Sequence, residues 1–172
     1  MAIAGASNYS VPSSLISDGV PTNGTNETQT LSTSGTVSAG TFRLNVGGFV
    51  SATVPWNATT AHVETALNNL ASIAAGGTAA VGVAVTGGAF PGTAFTVTFS
   101  GTQVQRRAHP LLVLHRNDLI GGGTVLITEG TPGVDAFGRG VAVEGSQAIN
   151  GQNGDVYFNN GTKDNPTWAL MA

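Results

Sequence analysis

Charged side chains are scarce in this sequence, and cysteine is absent from it. Only 9% of the 172 residues are charged, against roughly 25% in an ordinary soluble domain. Six basic residues and a net charge of −3 argue against nucleic acid as a partner, because phosphate binding depends on clustered Lys and Arg. The absence of cysteine excludes disulfides and thiolate chemistry.

Long apolar runs are missing as well. No run approaches the roughly 18 apolar residues that cross a bilayer, so we expect no membrane partner. The first basic residue is Arg43, which leaves the preceding residues without the positive charge that opens a Sec-type signal. We therefore expect no Sec-type export.

Residues of the types used in catalysis and metal binding do not form a recognisable motif. His109 and His115 are separated by about 20 Å if they lie on one strand, too far to share a metal ion. No serine lies in a Gly-x-Ser-x-Gly elbow, and the carboxylates are scattered without a close acid and base pair. The glycine triplet at 121–123 lacks the lysine of a phosphate loop. We expect no enzymatic activity, no cofactor and no metal site.

Glycine, threonine, serine and asparagine dominate what is present, a composition that favours strands, tight turns and polar uncharged surfaces. Residues 1–35 contain few apolar side chains and no period, which predicts an extended N-terminal arm. Residues 36–130 are predicted to form an α+β core domain. Residues 131–172, with three Asn-Gly pairs, are predicted to form a C-terminal segment of strands and turns.

The pattern within the core domain predicts a mainly β fold with one helix. Apolar and polar residues alternate on both sides of Gly47 and Gly48, which indicates a hairpin. Further strands are predicted at 79–85, 95–99, 111–114 and 124–128. A helix over about 60–72, ended by Gly76 and Gly77, is predicted from one apolar stripe, while its polar residues face outward. The stripe consists of Val63, Ala66, Leu67, Leu70 and Ile73, and the outward residues are Glu64, Asn68 and Asn69. The predicted fold class is α+β, mainly β, with an antiparallel sheet and one packed helix.

Two groups of residues are candidates for assembly contacts. Arg106 and Arg107, with Arg116 nearby, form the only basic cluster in the sequence, either as a solvated loop or as a contact with an acidic neighbouring subunit. Aromatic and apolar anchors near the end of the sequence are typical of interface hot spots, although Trp168 has the alternative of folding back on its own sheet. These anchors are Tyr157, Phe158, Trp168, Leu170 and Met171.

Several segments together resemble a module of virion structural proteins from tailed bacteriophages. They are residues 40–48 (GTFRLNVGG), 54–60 (VPWNATT), 63–70 (VETALNNL), 83–88 (VAVTGG) and 95–101 (FTVTFSG). The resemblance covers roughly residues 39–133. Residues 154–161 (GDVYFNNG) are similar to short β-segments of phage fibre and capsid-surface proteins. The charged loop at 103–109 departs from the pattern.

The resemblance implies a virion part without catalytic residues. We expect a capsid decoration (cement) protein that stabilises a phage head, made in the host bacterial cytoplasm and located on the capsid surface. Its expected partners are the major capsid protein and copies of itself, in a homotrimer. The alternative is a tail component, either a tail-tube subunit or a fibre or receptor-binding protein. A carbohydrate-binding module is less favoured, since aromatics make up only 6% of residues. A hydrolase is the least favoured, since no catalytic motif is present.

Overall fold

The computed structural model describes residues 15–70, 82–101 and 104–171. The described chain is mainly β and folds as two compact units. The larger unit is Gly24–Asp135, and the smaller unit combines Met1–Asn23 with Ala136–Ala172. The elements of both units, in chain order, are β1 (Ile16–Ser17), β2 (Thr28–Ser34), β3 (Ala39–Val46), β4 (Phe49–Val50), β5 (Val54–Pro55), α1 (Thr60–Asn68), β6 (Val83–Gly87), β7 (Phe95–Phe99), β8 (Val113–Ile120), β9 (Thr124–Glu129), β10 (Gln147–Asn150), β11 (Val156–Asn159) and β12 (Trp168–Leu170).

The predicted fold class is confirmed, but the larger unit contains two antiparallel sheets where one was expected. The first sheet has the order β6-β7-β2-β9. In the second, β3 pairs with β4 and β5 along one edge and with β8 along the other. Alternating residues of both sheets enter one hydrophobic core. Phe90 joins them, because its ring centroid lies 5.9 Å from that of Phe42 on β3 and 4.3 Å from that of Phe95 on β7.

Part of the predicted N-terminal arm is a central strand of this unit. β2 lies between β7 and β9, and its Leu31 is fully buried. The arm prediction is therefore wrong for Thr28–Ser34. The arm prediction also does not describe residues 15–23, because β1 pairs in parallel with β10 of the smaller unit. Residues 1–14 lie outside the described residues. The boundary before the C-terminal segment falls after Asp135 rather than after residue 130.

The predicted hairpin around Gly47 and Gly48 is present, but its second strand is interrupted. Both glycines have positive φ, 55° and 93°, which is the conformation that glycine adopts without strain. β4 and β5 are separated at Ser51, whose hydroxyl accepts a hydrogen bond from the Leu44 N–H (3.0 Å) and donates one to the carbonyl of Ala52 (2.8 Å). A side chain thus replaces a rung of the backbone ladder.

The helix begins at Thr60 as predicted and ends at Asn68. Its start is held by the N–H of Thr59, which donates to His62 Nδ1 (3.1 Å). Val63, Ala66 and Leu67 are buried in the core, as is Leu70 just beyond the helix. Ile73 and the glycine pair at 76–77 lie outside the described residues.

Two polar residues of the helix do not face outward as predicted. Asn68 is buried and bonds both backbone groups of Val83, accepting from its N–H (2.8 Å) and donating to its carbonyl (3.1 Å). Glu64 accepts a hydrogen bond from the N–H of Val85 (3.0 Å). β6 is an edge strand, so these side chains satisfy backbone groups that no neighbouring strand pairs.

Leu67→Ala is expected to lower the free energy of unfolding by about 2–5 kcal/mol, because a fully buried leucine is replaced by a cavity. Chemical denaturation followed by circular dichroism measures the loss. Thr65→Ala, on the exposed side of the same helix, is the control and should change stability by less than about 0.5 kcal/mol. Equal stability of the two variants would show that the helix does not pack on the core.

A buried polar pair on and before β2 holds the loop that precedes β8. Gln29 is fully buried, accepts a hydrogen bond from the N–H of Leu112 (2.8 Å) and donates to the carbonyl of Pro110 (3.2 Å). Its amide also donates a hydrogen bond to the buried carboxylate of Glu27, and that carboxylate accepts a second hydrogen bond from the N–H of His109. A polar strand is therefore kept in the core by hydrogen bonds to a distant loop.

Gln29→Leu is expected to destabilise the larger unit by about 1–3 kcal/mol, because it leaves the N–H of Leu112 without its acceptor in the core. The same denaturation measurement applies. Thr30→Val, at the half-buried neighbouring position of the same strand, is the matched control. A Gln29→Leu variant as stable as the control would contradict the role given to this network.

The smaller unit contains one four-stranded sheet in the order β1-β10-β11-β12. β1 pairs with β10 in parallel, whereas the other two pairings are antiparallel. Its separate core consists of Leu15, Ala142, Ala148, Tyr157 and Trp168, with Phe137 packed against it. One face of the sheet is covered in this way, and the opposite face is left exposed.

Candidate assembly surfaces

Trp168 is anchored inside the smaller unit and does not serve as a surface residue. Its side chain is 6% exposed, its indole N–H donates to the carbonyl of Phe137 (2.8 Å), and its ring packs on that of Phe137. Its backbone N–H donates to Asn23 Oδ1 (2.6 Å). Tyr157 is buried in the same core. These two predicted contact residues therefore stabilise their own unit, which is the alternative left open for Trp168.

Trp168→Ala is expected to cost about 3–5 kcal/mol of stability in the smaller unit, because the largest side chain of its core is removed. Thermal unfolding followed by far-ultraviolet circular dichroism measures the effect. Phe158→Ala, on the neighbouring strand but exposed, should leave the melting midpoint close to that of the wild type. A destabilisation of equal size in both variants would contradict this assignment.

The opposite face of the small sheet forms an apolar surface across all four strands. The register places Ile16 opposite Ile149, and Ile149 opposite Val156. Met171 follows in the same row, since its N–H donates to the carbonyl of Val156 (2.9 Å). A second row contains Phe158 between Gln147 and Ala169. We call this surface the apolar face, formed by Ile16, Ile149, Val156, Phe158, Ala169 and Met171.

Exposure and contacts support the geometry of the apolar face. Ile16 is 57% exposed, Ile149 42% and Met171 47%. Gln147 Nε2 lies 3.9 Å from the sulfur of Met171, across the intervening strand, so both side chains stand on the same side of the sheet. None of the six residues of the face is charged. Isolated apolar side chains on a surface are common, whereas a continuous apolar row across a whole sheet is typical of an interaction site.

Of the five predicted anchors, two thus belong to the apolar face. Phe158 and Met171 are on it, and Tyr157 and Trp168 are in the core. Leu170 is exposed, but it pairs with Tyr157 across the strands. Its side chain therefore lies on the same side of the sheet as Tyr157 and not on the apolar face. Ile16 and Ile149 were missed by sequence analysis, because they become neighbours only through the parallel pairing of strands from the two ends of the chain.

The predicted basic cluster is distributed over a loop and a strand. Arg106 and Arg107 are half-buried in the loop before β8, where the backbone N–H of Arg106 donates to Asn26 Oδ1 (2.8 Å) and Arg107 Nε lies 3.5 Å from His109 Nε2. Arg116 lies instead on β8. The two loop arginines are therefore half-buried in a loop of their own unit, whereas Arg116 is exposed on a strand.

A different arginine pair appears on the outer face of β3 and β8. Arg43 lies directly opposite Arg116 in the antiparallel register, and both are exposed. Arg116 Nε forms an ion pair with Asp118 Oδ2 (2.6 Å), while Arg43 forms no ion pair with any described residue. Sequence analysis missed this pair because its members come from distant strands.

Metal-binding clusters and cavities are the remaining candidate sites in the part of the chain that the structure describes. Within it, no cluster of three or more His, Asp or Glu side chains is arranged to hold a metal ion. A shallow cavity of about 300 Å³ beside α1 is lined by small and polar residues and by His62, whose ring is already engaged at the helix start. Among the described residues there is also no helix of the length and apolarity needed to cross a membrane.

Comparison with known proteins gives a weak likeness to a solved structure. No family model and no curated protein matches the chain. A solved structure described as Mycobacterium phage Patience is similar at a TM-score of 0.40 and 17% identity. The match covers 86% of this chain and 55% of that chain, so this chain spans about half the length of its neighbour. The neighbour is a phage protein, and a likeness this weak carries no argument about function.

Proposed function

We propose that this chain is a non-enzymatic structural protein of a phage virion that decorates the head and stabilises the capsid. The proposal joins the sequence resemblance to virion modules with one structural observation, the apolar face of the smaller unit. The major capsid protein is the proposed partner of that face. Association with further copies of the chain, in a homotrimer, is part of the proposal.

The apolar face has the properties of a contact centre. Its residues lie on or beside paired strands, so little backbone entropy is lost when a partner covers them. The absence of charge within the face removes the desolvation penalty that a charged surface would carry. Apolar and aromatic anchors such as Ile149 and Phe158 at the centre of an interface supply most of its binding energy.

The size of the face sets a limit on what it does alone. Four strands about 4.8 Å apart, of two, four, four and three residues, present an area of about 200 Å² at about 3.3 Å per residue. A stable interface needs about 800 Å² from each partner. The apolar face is therefore the centre of a larger contact, which suits a protein seated on a repeating particle surface better than an isolated pair held by this face alone.

Ile149→Lys is expected to abolish binding to particles, because it places a charge in the middle of the apolar row. The variant should remain folded, with a free energy of unfolding within about 0.5 kcal/mol of the wild type, since the side chain is already exposed. Co-sedimentation with purified heads that lack the protein measures binding. Val20→Lys, at an exposed apolar residue outside the four strands, is the control and should bind normally.

Virions assembled without this protein provide the test of location and role. Under the proposal, heads that lack it are complete in shape but release DNA at a lower temperature, and purified protein restores their resistance. Electron microscopy of labelled protein should place it on the head. Labelling of the tail, or heads of unchanged heat resistance, would contradict the proposed function.

A further inference from the structure

The paired arginines on the larger unit define a second surface, separate from the apolar face. Arg43 and Arg116 are cross-strand neighbours on the outer face of β3 and β8. Directly opposed like charges destabilise a sheet. Among the described residues, Asp118 offsets them through its ion pair with Arg116. The side chain of Arg43 makes no hydrogen bond or ion pair with the described residues. The larger unit thus presents Arg43 on an exposed strand without an acidic partner among the described residues.

Exposed apolar residues adjoin the two arginines. Val50 and Val113 both lie opposite Asn45, one on each side of β3, so they share the face that carries Arg43. Val113 is 56% exposed and Val50 37%. We call this surface the arginine face, formed by Arg43, Arg116, Val50 and Val113. Exposed ion pairs alone contribute little to binding, whereas apolar side chains beside them supply buried area and exclude water.

The chain itself carries the complementary charge. The smaller unit contains four carboxylates, Asp18, Glu144, Asp155 and Asp164, against two cations, Arg139 and Lys163, which leaves a formal charge of −2. Asp18, Glu144 and Asp164 are exposed. Asp155 accepts a hydrogen bond from Asn153 (2.7 Å) and is half-buried, so the three others are the available partners for a cationic surface.

From these observations we infer that the arginine face of one copy binds the acidic smaller unit of a second copy. The contact joins two different surfaces and is therefore heterologous, which gives a closed ring such as a trimer when the rotation between copies closes. Guanidinium groups suit it, because they pair with carboxylates in a bidentate geometry. The inference rests on the self-association included in the proposed function and names the two surfaces that would form it. Its test uses the purified protein and no particle, so its failure is distinguishable from a failure of head binding.

Sedimentation of the purified full chain at about 0.01 M and about 1 M salt tests the inference. The wild type should associate at low salt and dissociate at high salt, because exposed charge pairs are screened. Arg43→Glu combined with Arg116→Glu should weaken association at least about tenfold, since both members of the pair are reversed. Lys163→Glu, the same charge change on the smaller unit, should not weaken it.

A complementation experiment separates a specific contact from a general effect of charge. A chain carrying Asp18→Lys, Glu144→Lys and Asp164→Lys should be monomeric alone, as should the Arg43→Glu, Arg116→Glu chain. An equimolar mixture of the two should associate, because each surface then meets its opposite. A wild type that stays monomeric at low salt, association that is insensitive to these reversals, or a mixture that stays monomeric would overturn the inference.

A milder variant controls for misfolding of the charge-reversal variant. Arg43→Thr removes the like-charge opposition without placing a new charge on the sheet, and threonine suits an exposed strand position. Its melting midpoint, measured under conditions in which the protein is monomeric, should equal or exceed that of the wild type, while its association at low salt weakens. A lower melting midpoint with unchanged association would assign Arg43 a structural role and contradict the inference.

Discussion

The contact of Phe90 with Phe42 and Phe95, at ring-centroid distances of 5.9 and 4.3 Å, joins the two sheets of the larger unit. Phe42 is one of the alternating inward residues of β3, so its burial fixes which side of that strand faces water. Arg43 and Asn45 are then held on the outer side. The arginine face is thus a direct consequence of the register that the aromatic core imposes.

In the smaller unit the same alternation of inward and outward side chains leaves an apolar surface exposed. Burial of Tyr157 and Trp168 turns Phe158 outward, and the parallel pairing of β1 with β10 adds Ile16 and Ile149 to the exposed side. In a chain with 9% charged residues, there are few charged side chains to occupy such positions. An exposed sheet face therefore remains apolar, which is useful to a protein that functions in an assembly and unfavourable to one that stays alone.

Local patterns predicted much of the fold, whereas long-range pairing set the surfaces. The hairpin at Gly47 and Gly48 and the start of the helix at Thr60 follow from period and turn chemistry alone. β2 was missed because its sequence has a single apolar residue, Leu31, and its Gln29 is kept in the core by a loop from elsewhere in the chain. The strand at β8 was predicted to end at Leu114, because the polar residues that follow do not show the apolar alternation of a strand. The opposition of Arg43 and Arg116 and the row through Ile16 and Ile149 depend on tertiary pairing, which a local pattern does not contain.

The absence of cysteine allows the apolar face to be tested most directly. Single variants Ile149→Cys and Met171→Cys place one thiol each on the face, and Val20→Cys places one on an exposed residue outside the strands. Maleimide labelling of the free proteins and of the same proteins bound to phage heads compares their accessibility. The account predicts that all three thiols react in the free protein and that only those at 149 and 171 become protected on the head. Equal labelling of all three thiols on the head would contradict it.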